Sequence, residues 1–145
     1  MASVTAKTIH PSVPAEIPAR LAARVIDTLA LVAIGAALGR QIGFRYVWLV
    51  STASIVLAYF VLADALVGTT LGKAAMRLHV AGTKGNKPTI KQALIRECFT
   101  LLGAIPFAGP FLAFGAWVWI VVTIRSSPLR QGIHDRLAGT RVVRR

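Results

Sequence analysis

The chain has 145 residues, 55% of them hydrophobic, with a mean hydropathy of +0.65 and a formal net charge of +12. One soluble core of this size does not bury so many apolar side chains, so an ordinary soluble domain is excluded and an integral membrane protein is indicated. The basic residues adjoin apolar segments instead of forming a soluble basic face, which argues against nucleic acid and favours the lipid bilayer and its anionic lipids as partners.

Residues 1–18 contain Pro11, Pro14 and Pro18 and show no periodic pattern, which predicts a disordered N-terminal tail. An apolar segment follows at 21–38, near the lower end of the roughly 17 to 25 residues that cross a bilayer as a helix. Gly35 and Gly39 form a G-x-x-x-G pair, the spacing that lets a second helix approach closely.

A second apolar segment, residues 47–67, is the clearest transmembrane helix in the sequence. Trp48 near its start fits the aromatic belt at a membrane interface, and Asp64 lies near its end. The polar loop 68–89 follows. Within this loop, the turn-rich stretch between 78–80 and 88–90 predicts a small cytoplasmic hairpin. Thr89 and Gln92 then have capping-box spacing, which predicts the start of the next helix.

The third apolar region, residues 98–124, is interrupted by Pro106, Gly109 and Pro110. Its flanks are both rich in Lys and Arg, so the positive-inside rule places both in the cytoplasm and predicts a hairpin with arms at 90–106 and 110–125. The hairpin either crosses the membrane twice, with Lys91 and Arg96 snorkelling, or is re-entrant and shielded by protein. The alternative to a hairpin is one long kinked helix, which would place the basic tail 126–145 outside.

Ser127 and Pro128 predict a helix start, and Gly139 predicts its end. The expected element is a short amphipathic helix at the cytoplasmic interface. Its two faces would carry different residues: Leu129, Ile133 and Leu137 on the apolar side, and Arg130, His134 and Arg136 on the polar side.

The predicted fold is an all-α membrane protein. It is a polytopic helical bundle of about four membrane segments: two transmembrane helices plus a Pro/Gly-broken helical hairpin. A small cytoplasmic hairpin and an amphipathic C-terminal helix complete the membrane domain 19–145, and both termini are expected in the cytoplasm.

Three stretches of this chain resemble the RDD family of small bacterial membrane proteins. Residues 20–27 match its R-x-x-A-x-x-I-D opening, residues 68–73 with 77–80 resemble its G-x-T-x-G-K and following segment, and residues 130–140 resemble its closing stretch. The resemblance implies a suspected role in transport, and some members are described as sodium–proton antiporters. By position, Arg20 and Asp27 correspond to the family's arginine and first aspartate. Asp135 is the expected second aspartate, with Asp64 as the competing choice.

Arg20, Arg24 and Asp27 share one face of a helix because they are four and three residues apart. Burial favours the neutral acid, nearby guanidinium groups favour the carboxylate, and we expect Asp27 to be mainly ionised. An arriving ion or proton would compete with the arginine, as a transporter requires, whereas a fixed ion pair would serve only architecture. Asp135 either joins this network at its cytoplasmic end or is a solvated surface residue.

Lys73 and Arg77 are the expected contacts to lipid headgroups. A phosphate-loop interpretation of residues 68–74 is rejected, because that motif needs four residues between its glycines and a hydroxyl after the lysine. The histidines are scattered, the single Cys98 forms no internal disulfide, and no nucleophile adjoins a base. We therefore expect no enzyme activity and no cofactor.

The function predicted from the sequence is a small ion-coupled transporter for a cation or proton in the cell membrane, assembled as a homo-oligomer. The alternative is an accessory or scaffold subunit of a larger membrane complex, or a protein that binds anionic lipids.

Overall fold

The computed structural model describes residues 13–82 and 85–144. The described residues form six α-helices and two β-strands. One α-helix continues into a wider π-helical turn at Ala63–Val67, and another continues into a tighter 3-10 helix at Cys98–Ala104. The elements are α1 (Ile17–Ile42), α2 (Tyr46–Leu62), α3 (Leu71–Ala75), β1 (Leu78–Gly82), α4 (Ile90–Glu97), α5 (Gly109–Ser126), α6 (Ile133–Ala138) and β2 (Thr140–Arg144).

Among the described residues, three helices are long and apolar enough to cross a membrane: α1, α2 with its π-helical turn, and α5. This confirms a mostly helical chain with apolar, membrane-spanning candidates. Most of the large apolar side chains on these helices are exposed, as expected where lipid and not protein is the neighbour.

The two glycines of the G-x-x-x-G pair in α1 each lie close to a neighbouring side chain. A Cβ on Gly35 would lie 3.1 Å from Cγ2 of Thr52 in α2, and Trp48 Nε1 donates a hydrogen bond of 2.7 Å to the Gly35 carbonyl oxygen. Gly39 lies inside α1 and faces the ring of Phe44. Gly35 therefore lets α1 and α2 pack closely, whereas Gly39 leaves room for the Phe44 ring in the loop between them.

The predicted cytoplasmic hairpin is wrong, because β1 pairs with β2 at the C-terminal end of the chain. The two strands are antiparallel, with Val80 opposite Val142. The chain is thus not all-α. Strand pairing over this distance leaves no local signal in sequence, and the turn-rich stretch after β1 suggested a nearer partner. Thr83 and Lys84 of that stretch lie outside the described residues.

Of the predicted extended or disordered tail 1–18, residues 13–16 form an extended segment beside β2, and residues 17–18 begin α1. The Ala15 backbone N–H donates to the Val142 carbonyl oxygen at 3.0 Å, and the Arg144 N–H donates to the Val13 carbonyl oxygen at 2.9 Å. Pro14 suits this extended segment because a proline tolerates an edge position. Residues 1–12 lie outside the described part of the chain.

The third apolar region reverses direction. Thr89 and Gln92 form the predicted capping box at the start of α4. The α-helix ends at Glu97, however, so 90–106 is not one continuous α-helix. After the turn at 105–108, α5 packs back against the 3-10 helix, and α6 contacts both α4 and α5. Helix α4 and the end of α5 therefore both lie beside α6, and whether this region crosses the membrane twice stays a prediction.

The C-terminal helix differs from its prediction in start and polarity. It begins at Ile133 after Gly132, while Ser127 instead organises the turn that leaves α5. It ends at Gly139 with a φ of 62°, as predicted. The buried side carries Asp135 and the exposed side carries Leu137, because the polar partners of this helix lie inside the protein.

Candidate functional site: a buried charged cluster

Four of the chain's five acidic residues are buried in one region, each with 2% or less of its surface exposed. They come from α1, the π-helical turn after α2, α4 and α6, and four basic residues from α1, α3 and α4 lie among them. We name this set the charged cluster: Arg20, Arg24, Asp27, Asp64, Lys73, Arg96, Glu97 and Asp135.

Asp27 is held by uncharged donors. Its Oδ1 accepts hydrogen bonds of 2.7 Å from Tyr59 Oη and 2.7 Å from the Gly72 backbone N–H, and its Oδ2 accepts from the Thr70 hydroxyl. Among the described residues, no basic side chain forms an ion pair with Asp27. The expected pair between Asp27 and the arginines of its own helix is therefore wrong.

The G-T-T-L-G-K stretch positions these donors. Gly68 has a φ of 81°, which suits a glycine at the helix exit. Thr70 is the N-cap of α3, where its hydroxyl also accepts from the Lys73 N–H at 3.3 Å. Gly72 lies so close to α1 that a Cβ would meet the Ala23 carbonyl oxygen at 1.9 Å. The motif thus docks the first turn of α3 onto the carboxylate of Asp27.

Arg20 in α1 binds both the segment before α1 and the part of the chain that follows α5. Its Nη1 donates to Asp135 Oδ2 at 3.0 Å, and its Nη2 donates to the carbonyl oxygens of Arg130 and Val142 at 2.7 and 3.1 Å. Its Nε donates to the Ala15 carbonyl oxygen. Asp135 is fully buried, so it is not a solvated surface residue.

Lys73 is not at the surface, which corrects its predicted contact with lipid headgroups. Its Nζ donates to both carboxylate oxygens of the buried Asp64, at 2.6 and 2.9 Å. Lys73 and Asp64 are the cluster's closest ion pair. Arg77 is exposed just before β1, and its contact with headgroups stays a prediction.

Arg96 and Glu97 join the separate pairs into one cluster. Arg96 Nε lies 3.5 Å from Asp135 Oδ1, 3.5 Å from Glu97 Oε1 and 3.8 Å from Asp64 Oδ2. Glu97 Oε2 accepts a hydrogen bond of 3.0 Å from Arg24 Nη1. The cations and carboxylates of the cluster are equal in number, as an enclosed set of charges requires.

Arg24 is also held by aromatic rings. Its guanidinium carbon lies 3.7 Å from the centre of the Phe60 ring, and the rings of Phe99 and Trp117 are at 5.5 and 5.7 Å. Such contacts stabilise a buried guanidinium by about 0.5 to 2 kcal/mol each. Arg24 therefore faces Glu97 and these rings instead of Asp27.

A cleft of about 60 Å³ opens between α1 and α5 beside the cluster. One wall is apolar and comes from α5, with Trp117, Ile120, Val121 and Ile124. The rest of the lining is mixed. It contains apolar residues of other elements (Ile17, Leu21, Ala23, Leu78, Phe99 and Val142), His134, and six members of the charged cluster, which we call its charged wall: Arg20, Arg24, Asp27, Lys73, Arg96 and Glu97.

Burial and the neighbouring charges shift the pKa values of several groups that lie outside the long helices: Lys73, His134 and Asp135. Burial lowers the pKa of His134 to about 4, and the Arg96 charge acts in the same direction against Asp135. Burial also lowers the pKa of Lys73. For Asp135, burial alone would raise the pKa, but the charges around it, chiefly Arg96, hold it below its usual range. At neutral pH His134 is therefore uncharged and Asp135 is ionised.

Of the residues proposed from the sequence, the structure brings Arg20, Arg24, Asp27, Asp64 and Asp135 to this region and also Lys73, while Arg77 lies apart. Tyr59, Thr70, Arg96 and Glu97 were missed. One signal for Glu97 was present, because an Arg-Glu pair directly before an apolar segment is as costly as Asp27 and needs partners in the same way.

Comparison with known families gives one match: the model of the RDD family matches residues 14–139 of this chain. No curated protein and no solved structure matches it.

Proposed function

The chain belongs to the RDD family, and we propose that this membrane protein is a small ion-coupled transporter in which Asp27 takes up and releases the coupling ion. One observation carries the proposal. Asp27 lines the cleft and is held by uncharged donors, whereas Asp64, Glu97 and Asp135 each form ion pairs with buried basic side chains. Among the described residues no basic side chain is paired with Asp27, so an arriving ion has no fixed cation to displace there.

Neutralising Asp27 would change the contact between α1 and α3. Hydrogen bonds to an ionised acceptor are roughly twice as strong as those between neutral groups. A proton on Asp27 therefore weakens its bonds from Thr70 and Gly72, which hold α3 against α1. Movement of α3, and of β1 that follows it, is the step through which ion uptake would be coupled to transport.

A proton is favoured over a metal cation at Asp27 because both carboxylate oxygens already accept hydrogen bonds. A proton needs only one free lone pair, whereas a metal cation would have to displace these donors. A proton binds covalently to the carboxylate and is therefore the coupling ion we expect first. A small cation is the expected ion on the other side of the exchange, as in the antiporters described for the family.

The surroundings of the transporter follow from its size and charge. Three long apolar helices enclose little interior, so we propose a homo-oligomer in the cell membrane. We also propose that both termini are cytoplasmic, since the basic residues after α2 and after α5 lie on the side of the charged cluster.

The test is ion flux in proteoliposomes that contain the purified protein and a pH-sensitive dye. Proton, sodium and potassium gradients are applied in turn. We expect gradient-dependent proton flux that is abolished in Asp27→Asn and retained in Glu16→Gln, the matched change at the exposed acid outside the cluster. A folded wild-type protein without flux, or equal flux in Asp27→Asn, would overturn the proposal.

A second function is favoured by the distribution of the other charges. Of the 17 Lys and Arg residues, 13 lie outside the charged cluster, whereas Glu16 is the single acidic residue outside it. Such an excess attracts anionic lipids or an acidic membrane partner, as expected of a lipid-binding or accessory subunit. Co-purification in mild detergent with a defined partner or bound anionic lipid would support this function, and recovery only as a lipid-free monomer or homo-oligomer would refute it.

A further inference from the structure

The cleft has more hydrogen-bond donors than acceptors. Its charged wall contains four cations and two carboxylates, while the other two carboxylates of the cluster do not line it. The two carboxylates that do not line the cleft are Asp64, which is paired with Lys73, and Asp135, which is paired with Arg20. The cleft itself is therefore more positive than the cluster as a whole.

Arg96 is the least satisfied of these cations. It is 3% exposed, and its Nε and Nη1 have no hydrogen-bond partner among the described residues. Its carboxylate neighbours stand at 3.5 to 3.8 Å, beyond the distance of a charge-assisted hydrogen bond. Asp135 Oδ1, which also lacks a hydrogen-bond partner among the described residues, lies 3.5 Å from Nε and is its available acceptor, so the donor that needs a further partner is Nη1.

Arg24 adds unused donors on the same wall. A guanidinium carries five N–H groups, and within the described chain Arg24 donates one hydrogen bond, to Glu97. Its other contacts are with the faces of aromatic rings, which accept no conventional hydrogen bond. The acidic side of the cleft does not fill this need, because both oxygens of Asp27 already accept from other donors.

We propose that the cleft binds one small, singly charged anion between Arg96, Arg24 and the apolar wall of α5. The cavity of about 60 Å³ has room for an anion of this size, since about 10 to 15 Å³ of cavity volume on the same measure already holds a water molecule. The apolar wall lowers the local dielectric constant and strengthens the attraction of the guanidinium groups for the anion. This site is defined by binding alone and does not depend on transport.

The anionic group has two conceivable sources, a free anion and the phosphate of a lipid. The chemistry is the same in both, because each supplies acceptor oxygens or a halide with one negative charge. The two sources differ in what must be added to the purified protein, so one experiment separates them.

The experiment measures thermal unfolding of the full chain in an uncharged detergent at constant ionic strength. Nitrate or chloride replaces gluconate, which is too large for the cavity. We expect the melting temperature to rise with the nitrate or chloride concentration and to remain level in gluconate. A parallel series adds phosphatidylglycerol at fixed gluconate.

Two pairs of variants locate the site. Val121→Phe fills the cleft without changing a charge, and its matched control is Val122→Phe, on the neighbouring exposed position of α5. Arg96→Gln removes the central guanidinium, and its matched control is the exposed Arg125→Gln. Binding should weaken by at least about tenfold in Val121→Phe and Arg96→Gln, as loss of charge-assisted bonds or of space implies, and should be unchanged in both controls.

Each outcome bears on the proposal. Stabilisation by nitrate or chloride that Val121→Phe abolishes supports a free anion, even if Arg96→Gln fails to fold. Stabilisation by phosphatidylglycerol alone, again lost in Val121→Phe, identifies a lipid phosphate as the anionic group. No stabilisation by either, or equal stabilisation in Val121→Phe and Val122→Phe, overturns the site and shows that the cleft holds only water.

Discussion

Gly72 fixes how closely α3 approaches α1. In an ordinary helix, replacing glycine by alanine stabilises by up to about 1 kcal/mol, but a Cβ here would overlap the Ala23 carbonyl group. We therefore expect Gly72→Ala to destabilise the protein by about 1 to 3 kcal/mol, as overpacking does. The measurement is the unfolding midpoint in detergent.

The matched control for this change is Gly115→Ala in α5, where an added Cβ meets no atom within 4 Å. This variant should unfold at or slightly above the wild-type midpoint. Equal stability of the two variants would show that α3 does not lie against α1 as described.

His134 predicts how stability depends on pH. Its pKa is lowered to about 4 by burial, so between this value and the usual 6.5 the unfolded chain binds a proton that the folded chain does not. Stability is therefore complete above pH 6.5 and falls as the pH drops toward 4. At about 1.4 kcal/mol per pH unit, the loss approaches 3 kcal/mol.

The measurement is the unfolding midpoint between pH 7 and pH 4.5, compared with His134→Gln. This variant should remove most of the slope. A variant that keeps the full slope would assign it to another group. Asp135 does not compete in this range, because its pKa is already below the usual value and its contribution is lost only at lower pH.

The sequence predicted individual charged residues of the cluster more successfully than the residues that they contact. The apolar surroundings of Asp27 showed that it needs a partner, and helical spacing indicated Arg20 and Arg24. Spacing, however, reveals only which residues share a helix face. The actual donors, Tyr59, Thr70 and Gly72, lie 32 to 45 residues further along the chain and meet Asp27 only when α3 docks.

At the scale of elements, β2 joins the N-terminal segment to β1. Val143 is fully buried in this strand, while Arg141 on the same strand is exposed. We expect Val143→Asp to destabilise the protein by several kcal/mol, because it buries an unpaired charge. Limited proteolysis of the C-terminal residues should accelerate strongly in this variant.

Arg141→Asp places the same charge at an exposed position of β2 and serves as the control. It should resist proteolysis like the wild type. Similar cleavage of both variants would contradict the burial of β2 and its pairing with β1.

Length and hydropathy sufficed to predict the long helices, because a bilayer demands about 20 apolar residues in a row. They failed where tertiary contacts decide the structure. Residues 98–104 are apolar but form a 3-10 helix against α2 and α5. The C-terminal helix turns its polar side inward because Asp135 finds Arg20 there, and its own periodicity contains no trace of that partner.

At the scale of the whole molecule, the distribution of basic residues predicts the orientation. The turn at 105–108 carries no charge, whereas the loop before α4 and the tail after α5 are basic. We expect the turn outside and both flanks inside. In a Cys98→Ala background, Phe107→Cys should react with a membrane-impermeant maleimide added to intact cells.

Arg144→Cys in the same background should react only after the cells are permeabilised. Labelling of Arg144→Cys in intact cells would contradict the orientation and would support the alternative that residues 98–124 cross the membrane only once.

The bond between Arg20 and Asp135 joins residues 115 positions apart, and Arg20 reaches Val142 over 122 positions. On the ribosome, α1 is therefore synthesised and delivered to the insertion machinery before its partners exist. Arg20 lies in the first turn of α1, where a long basic side chain reaches the headgroup region, so α1 can insert before these partners exist. The contacts that Arg20 makes with α6 and β2 therefore form only after the three long helices have been synthesised.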